Sequence, residues 1–195
     1  GNGMYTITSG DSPKEIAIYD RFGEKGFTKE ICNSCSSENS VVDITYDGSH
    51  AVAGLNFDFL YIDVVNEEVE WTAGCYGSGR PSNIDMSASG DIIAVLESQT
   101  RLCVYDNAGY LLMESNVCDY VDCDDSSGGV VMKLSDNGQK VAIHFRQQTL
   151  LYDYNETVPK WVYDDDYTED TISHYGIAIS DDGELVASPC PDSDG

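Results

Sequence analysis

The chain alternates short apolar stretches with polar turns, and one phrase of this alternation recurs four times. Each copy has an apolar stretch, a polar turn that contains glycine, and a second apolar stretch, as in residues 43–53. The turn glycines are spaced by 42, 48 and 45 residues. Repetition at this period predicts stacked units of about four short strands each. The glycines are Gly48, Gly90, Gly138 and Gly183.

A second marker keeps the same phase. An aspartate that follows tyrosine or isoleucine recurs at steps of 43, 43 and 47 residues, and its last three copies each lie 15 or 16 residues after a turn glycine. Two markers in one phase indicate a true structural repeat. The dipeptides are Tyr19-Asp20, Ile62-Asp63, Tyr105-Asp106 and Tyr152-Asp153.

The predicted fold is all-β: a β-propeller of four-stranded antiparallel blades that forms a single region over residues 1–195. Period-two alternation places the strands of the second unit near 41–46, 50–55, 58–64 and 68–73, and it predicts no helix. About four blade units are visible. Their approximate bounds are 1–40 (incomplete), 41–83, 84–129, 130–175 and 176–195 (incomplete).

Both terminal units are incomplete. The amino-terminal unit supplies Met4–Ser9, Glu15–Tyr19 and Phe27–Ile31 as its second, third and fourth strands. The carboxy-terminal unit supplies Ile177–Ser180 and Glu184–Ser188 as its first and second strands. A closed four-bladed ring would then need an extra strand or a large insertion, so we favour a portion of a larger propeller of about six to eight blades.

Aromatic residues recur within the same repeat. Trp71 and Trp161 each lie eight residues after the repeated aspartate, so we expect both on outer strands, buried against the neighbouring blade. Tyr19, Tyr105 and Tyr152 are expected to pack between blades.

The charge of the chain excludes several classes of partner. Its 195 residues are 41% hydrophobic, which excludes wholesale disorder. Because 35 acidic and 10 basic residues give a formal net charge of -25, nucleic acid and anionic membrane surfaces would be repelled. No apolar stretch approaches the roughly 18 residues that a membrane span needs, so we expect no direct membrane insertion.

The pattern of Ser-Asp-x-Gly turn, alternating strand, Tyr-Asp, short turn and Trp resembles the superfamily of WD-repeat and quinoprotein-like β-propellers, from about residue 4 to residue 188. Tyr-Asp stands where a WD-repeat blade ends in Trp-Asp, so the quinoprotein-like and surface-propeller branch is the more similar one. This resemblance implies a binding or assembly module more often than an enzyme.

Cysteines gather in the connections between the predicted blades. Cys32 and Cys35 follow the last strand of the first unit, Cys118 and Cys123 occupy that place in the third unit, and Cys75 occupies it in the second. The two pairs are candidates for disulfides that pin these loops. Zinc binding or redox chemistry at the Cys32-Asn33-Ser34-Cys35 segment is an alternative.

The cysteine count and a glycosylation sequon bear on the cellular compartment of the protein. Seven cysteines favour an oxidising environment, so we expect an extracellular or cell-surface protein, with the periplasm as an alternative. Cys103 lies within a strand and is expected to be a small buried apolar residue. Asn155 begins an Asn-Glu-Thr sequon in a turn and is a candidate glycosylation site.

Two acidic clusters occupy the same connections as the cysteines. Carboxylate oxygens in loops suit calcium, which would relieve the repulsion between them, although neither cluster follows the EF-hand pattern. A solvated acidic rim is the alternative. The calcium candidates are Asp119, Asp122, Asp124 and Asp125 in one cluster, and Asp164, Asp165, Asp166 and Asp170 in the other.

The leading functional hypothesis is a non-enzymatic module that presents its acidic inter-blade loops to a protein or carbohydrate partner, or packs as a structural subunit. The three histidines match no metal or catalytic-triad spacing. Alternatives are a propeller enzyme with a central-channel site, such as a quinoprotein-like dehydrogenase, lyase or glycosidase, and a calcium-stabilised assembly subunit. The candidate contact residues are Tyr76, Tyr120, Tyr163, Tyr167 and Tyr175.

Overall fold

The computed structural model describes residues 5–9, 14–32, 41–55, 57–75, 79–123, 130–145, 148–164 and 176–188. Within this part the regular structure is β-strand apart from one turn of 3-10 helix, Val117–Asp119, and turns and loops connect the strands. The strands are β1 (Tyr5–Ser9), β2 (Lys14–Asp20), β3 (Lys25–Cys32), β4 (Val42–Ile44), β5 (His50–Leu55), β6 (Asp58–Asp63), β7 (Glu68–Ala73), β8 (Pro81–Met86), β9 (Ile92–Glu97), β10 (Arg101–Asp106), β11 (Leu111–Asn116), β12 (Val130–Leu134), β13 (Lys140–Phe145), β14 (Gln148–Asp153), β15 (Trp161–Asp164), β16 (Ala178–Ile179) and β17 (Val186–Ala187).

The strands form five antiparallel sheets, each a meander of consecutive strands. Sheet 1 contains β1 to β3, sheets 2, 3 and 4 contain β4 to β7, β8 to β11 and β12 to β15, and sheet 5 contains β16 and β17. The first strand of each later sheet contacts the first or second strand of the sheet before it. The prediction of an all-β chain with four-stranded antiparallel sheets is therefore confirmed.

Strand bounds follow the predicted pattern closely within sheet 2. Strands β5, β6 and β7 match the predicted strands to within one residue, whereas β4 ends at Ile44 because the next residues turn the chain. Sheet 3 begins at Pro81, ahead of the predicted unit boundary at residues 83 and 84. Proline is tolerated there, because the first residue of an edge strand needs no N–H partner. The strands of sheet 5 are shorter than predicted.

The repeated glycine turn has a local physical cause, shown by its first copy. The Thr45 hydroxyl oxygen accepts the His50 N–H at 3.0 Å and donates to the Asp47 carboxylate at 2.9 Å. The same carboxylate accepts the Ser49 N–H at 2.9 Å. Gly48 donates its N–H to the Thr45 carbonyl and has φ of 77°, a conformation that favours glycine. Two short side chains and one glycine thus specify this hairpin turn.

The other three copies repeat this hydrogen bonding. In each, a serine hydroxyl accepts the backbone N–H five residues later, at 2.9–3.1 Å, and the turn glycine has φ between 73° and 78°. The repeat recognised in the sequence is therefore a repeated turn in the structure. The serine and glycine pairs are Ser87 with Gly90, Ser135 with Gly138, and Ser180 with Gly183.

These turns also join one sheet to the next. A Cβ atom on Gly90 would lie 2.8 Å from the Thr45 methyl group of the preceding turn, so only glycine fits the contact. Equivalent contacts place Gly138 against Ile92 and Gly183 against Lys140. Backbone hydrogen bonds connect the same turns, from Tyr46 N to Ala88 O, from Ala88 N to Asp136 O and from Asn137 N to Asp181 O.

The core lies between successive sheets. Strand β9 is buried on both faces, because Ala94 and Leu96 pack towards sheet 4 whereas Ile93 and Val95 pack towards sheet 2. Burial on both faces explains why this strand reads as an unbroken apolar run. A third cluster, which includes Ile16, fills the space between sheets 1 and 2.

The two tryptophans have different environments. Trp71 stacks on Tyr61 with ring centroids 5.0 Å apart and donates its indole N–H to the Asn107 carbonyl of sheet 3, as predicted for packing on a neighbouring unit. Trp161 is 37% exposed, so its predicted burial is wrong. The described part of sheet 5 packs on Ala142 and Leu151 instead, and leaves this indole uncovered.

Cys103 forms a disulfide with Cys75, and its prediction as a lone apolar residue is wrong. The two Cα atoms are 6.2 Å apart, and the bond joins the end of β7 in sheet 2 to β10 in sheet 3. Cys103 is buried as expected, but its side chain serves a covalent link between sheets. Spacing along the chain does not show this pairing, because the two residues are brought together only by the packing of the sheets.

Candidate functional site

The meander gives each sheet two ends. The turns between first and second strands and between third and fourth strands lie at one end, here called the turn rim. The turns between second and third strands, and the connections between sheets, lie at the other end, here called the connection rim. Hydrogen bonds between successive glycine turns place the turn rims of sheets 2 to 5 side by side.

Large apolar side chains project from the tips of the turn rim. Six of them are between 57% and 74% exposed, and each of the five sheets contributes at least one. Two come from turns between first and second strands, in sheets 2 and 5. The other four come from the β2–β3 turn of sheet 1 and from the turns between third and fourth strands of sheets 2, 3 and 4. Scattered single apolar residues are ordinary on a surface, but their recurrence along one rim is not. They are Phe22, Tyr46, Val65, Tyr110, Val158 and Leu185.

The repeated aspartate holds several of these tips in place. Asp20 accepts the N–H groups of Phe22 and Glu24 at 2.8 and 2.9 Å through one carboxylate oxygen. Asp106 accepts those of Ala108 and Tyr110 at 3.0 and 2.9 Å in the same manner. The Tyr-Asp marker of the sequence therefore specifies a turn that fixes an exposed apolar side chain. The turn between β2 and β3 therefore has the same hydrogen bonding as the turn between the third and fourth strands of sheet 3.

The predicted calcium ligands lie at the connection rim, where the structure describes three of the eight. Asp119 and Asp122 are exposed, and Asp119 accepts a hydrogen bond from the Asn116 amide at 2.9 Å. Asp164 is exposed and accepts one from the Gln148 amide at 3.0 Å. The remaining candidates, Asp124, Asp125, Asp165, Asp166 and Asp170, fall outside the described residues.

Two of the five predicted contact tyrosines can be placed. Tyr120 is half-buried against Tyr152, and its hydroxyl donates to the Thr157 carbonyl at 3.3 Å, so it supports the fold around it. Tyr163 is exposed on the outer strand β15. Tyr76, Tyr167 and Tyr175 fall outside the described residues.

The predicted covalent sites are partly visible. Cys118 and Cys123 form a disulfide with Cα atoms 5.4 Å apart, next to the short helix. The side chain of Cys32 and all of Cys35 lie outside the described part. Asn155 is exposed in the turn that follows β14, where a glycan would meet solvent. Both disulfides are consistent with an oxidising environment.

Charged residues in the first strands tie neighbouring sheets together. The Asp43 carboxylate of β4 accepts the Met86 N–H of β8 at 2.7 Å, and the Asp85 carboxylate of β8 accepts the Leu134 N–H of β12 at 2.6 Å. Asp85 also pairs with Lys133 at 3.0 Å. Burial raises the pKa of Asp85 to about 7, and the nearby Asp43 charge adds to this effect. These carboxylates serve as links between sheets.

Glu97 is a buried acid that the sequence pattern does not reveal, because it ends an apolar strand. It is 1% exposed, and its carboxylate accepts the N–H of Cys75 at 2.8 Å. Burial raises the pKa of this carboxyl group. Glu97 thus fixes the backbone of the residue that forms the disulfide with Cys103.

One group of side chains at the turn rim could hold a metal ion. His50, Asp63 and Glu70 each offer one ligand atom, and these three atoms lie within 4.8 Å of one another. The residues come from β5, β6 and β7, so the register of sheet 2 brings them together. Sequence reasoning missed the group, since their spacing of 13 and 7 residues fits no metal motif.

No protein-family model and no curated protein matches this chain. In the part of the chain that the structure describes, no helix is long and apolar enough to cross a membrane.

Proposed function

We propose that this chain is a non-enzymatic binding module of the β-propeller type, with its sheets as blades and its turn rim as the surface that meets a protein partner. The proposal shifts the binding surface from the predicted connection rim to the opposite rim. An extracellular or cell-surface location accompanies it, because both disulfides suit an oxidising compartment.

The blade arrangement is supported by contacts that repeat from sheet to sheet. Three successive turn glycines lie against the preceding turn or the strand after it, and three successive pairs of turns share a backbone hydrogen bond. A constant contact between like units generates a regular array, as in propellers and solenoids. The first strand of each later sheet contacts the first or second strand of the sheet before it. Such contacts are expected when blades are arranged around a common axis with their first strands innermost.

The single observation that supports binding is the set of six exposed apolar tips on the turn rim. Aromatic side chains among them are the residue type that protein interfaces favour, and the aspartate-held turns lower the entropy lost on binding. Aliphatic tips such as Val65, Val158 and Leu185 favour a protein partner over a carbohydrate, which would stack on aromatic rings. Exposed acidic residues beside the tips, such as Asp47, Glu67 and Glu184, favour a partner surface with basic groups.

Selection of peptides from a random display library on the immobilised chain tests the proposal. We expect selected peptides to combine apolar and basic residues. The triple variant Phe22→Ser, Tyr46→Ser, Tyr110→Ser should weaken their binding at least about tenfold, because each removes a candidate anchor. Phe57→Ser, which changes an exposed ring outside the turn rim, is the matched control.

Three outcomes would count against this function. Failure to select any peptide above background contradicts a protein-binding rim, and so does binding that the triple variant leaves unchanged. If a glycan array shows ligands where the peptide library shows none, the partner class is carbohydrate and the proposal is wrong in that respect.

A further inference from the structure

We propose that His50, Asp63 and Glu70 form a binding site for a divalent transition-metal ion of the zinc class at the turn rim of sheet 2. Imidazole nitrogen and carboxylate oxygen together suit Zn²⁺ and similar first-row ions, whereas calcium prefers oxygen ligands alone. The site differs in place and in ligand type from the acidic clusters that the sequence suggested for calcium.

The register of sheet 2 explains how the three side chains meet. His50 pairs with Asp63 across β5 and β6, so both side chains lie on one face. In the next pair of strands, Tyr61 opposes Trp71 and Ile62 opposes Val69, which leaves Glu70 as the extra residue of a β-bulge. A bulge redirects the side chain of its extra residue. Here it directs Glu70 towards the other two ligands.

Outer contacts hold two of the ligands ready. The Ser49 hydroxyl lies 2.9 Å from His50 Nδ1, which leaves Nε2 for a metal. Stacking of the His50 ring on Tyr61, with centroids 5.2 Å apart, further fixes its orientation. Asn66 donates its backbone and side-chain N–H groups to the two oxygens of Asp63, at 2.8 and 2.6 Å. Such supporting hydrogen bonds are typical behind metal ligands.

Comparison with the equivalent place in sheet 4 supports a cation at this position. Lys140 pairs across the strands with Asp153 as His50 does with Asp63, and the lysine ammonium forms a salt bridge with that aspartate. The residue before the outer-strand tryptophan, Glu70 in sheet 2, is Lys160 in sheet 4. In sheet 4, Lys140 and Lys160 therefore place positive charges beside the aspartate. In sheet 2, the equivalent residues His50 and Glu70 could bind a metal cation instead.

In sheet 3 the equivalent residues are Ile92, Asp106 and Leu112, so this place has one carboxylate and no imidazole. Sheet 2 alone combines an imidazole with two carboxylates at this place, among the sheets in which the described residues include all three positions. Neither Asp63 nor Glu70 takes part in a salt bridge found among the described residues. A bound divalent ion would balance their two negative charges.

The spacing of the three ligand atoms is compatible with a bound metal ion. Zinc lies about 2.0–2.2 Å from nitrogen and oxygen ligands, so neighbouring ligand atoms are about 3.4 Å apart in a tetrahedral site. The three candidate atoms lie within 4.8 Å of one another, and Glu70 is exposed, so its side chain can adjust to this spacing. Three protein ligands leave the fourth position to solvent.

Calorimetric titration with ZnCl₂ and with CaCl₂ at pH 7.5 tests the site, on the full chain with its free thiols alkylated so that cysteine cannot bind the metal. We expect stoichiometric Zn²⁺ binding that is much tighter than Ca²⁺ binding. Glu70→Gln and His50→Gln should each weaken it at least about tenfold, and Ser49→Ala about tenfold through the imidazole that it orients. Glu156→Gln makes the same charge change as Glu70→Gln in an exposed turn of sheet 4 and should leave binding unchanged.

Two results would overturn the proposal. One is Zn²⁺ binding that is absent, or no tighter than Ca²⁺ binding, which would mean that the acidic surface attracts cations without a built site. The other is equal affinity in the Glu70→Gln and Glu156→Gln variants. Visible absorption of the Co²⁺-loaded chain provides a second readout, because its bands report nitrogen and oxygen ligation and should change in His50→Gln even if that variant is less stable.

Discussion

Asp85 is a buried carboxylate that links two sheets although burial disfavours its negative charge. Its oxygens accept a backbone N–H from the next sheet and pair with Lys133, so removal of the side chain would leave partners without an acceptor. Burial nevertheless disfavours its charge and raises its pKa to about 7. The residue therefore makes the stability of the fold depend on pH.

The raised pKa of Asp85 determines whether stability rises or falls with pH. The folded-state pKa of about 7 lies above the ordinary value of 3.8, so between these values the folded state binds more protons than the unfolded state. The free energy of unfolding that Asp85 contributes should be greatest below pH 4 and fall as pH rises towards 7, by at most about 1.4 kcal/mol per pH unit.

Asp85→Asn should remove this contribution. We expect urea unfolding between pH 4.5 and pH 7.5 to show a smaller loss of stability with rising pH in the variant than in the parent chain. Asp119→Asn, at an exposed position, is the control and should keep the parent slope. Parallel slopes for all three proteins would show that Asp85 titrates in its ordinary range.

At the scale of elements, the glycine turn combines a backbone requirement with a packing requirement, and two glycines separate them. Gly90 has φ of 78° and lies 2.8 Å, measured from an added Cβ, from the Thr45 methyl group. Gly23 has φ of 79° in open space. Gly23→Ala should cost about 1–2 kcal/mol for the left-handed conformation alone.

Gly90→Ala should cost at least about 1 kcal/mol more than Gly23→Ala, because the methyl group would also push apart the turns of sheets 2 and 3. Urea unfolding of the two variants under identical conditions measures the difference. Equal losses would mean that the contact between turns adjusts without cost, and that it does not hold the sheets in register.

The same turns explain why the sequence revealed the elements so well. Ser87 and Gly90 act on backbone groups within five residues, so their spacing is fixed locally and repeats along the chain. Features that depend on two sheets or on strand register left no such trace. The Cys75 to Cys103 disulfide, the burial of Glu97 and the Glu70 bulge all required the packed structure.

At the scale of the whole molecule, the charge composition opposes the compact state. Thirty-five acidic residues and ten basic residues give a net charge of -25, whereas the salt bridges between described residues are few and partly exposed. Exposed ion pairs contribute about 0–1 kcal/mol each. General repulsion between carboxylates should therefore outweigh specific attraction, and the fold should rely on its apolar contacts between sheets.

Screening provides the test of this balance. Raising NaCl from about 10 mM to about 150 mM shortens the Debye length from about 30 Å to about 8 Å, which weakens long-range repulsion more than contacts at hydrogen-bond distance. We expect the melting temperature to rise by several degrees, at about 2–4 °C per kcal/mol gained. Choline chloride at equal ionic strength, with a chelator present, should give the same rise, because screening needs no specific cation. A fall in melting temperature would mean that the surface ion pairs, rather than the repulsion among the acidic residues, dominate the electrostatics of the folded chain.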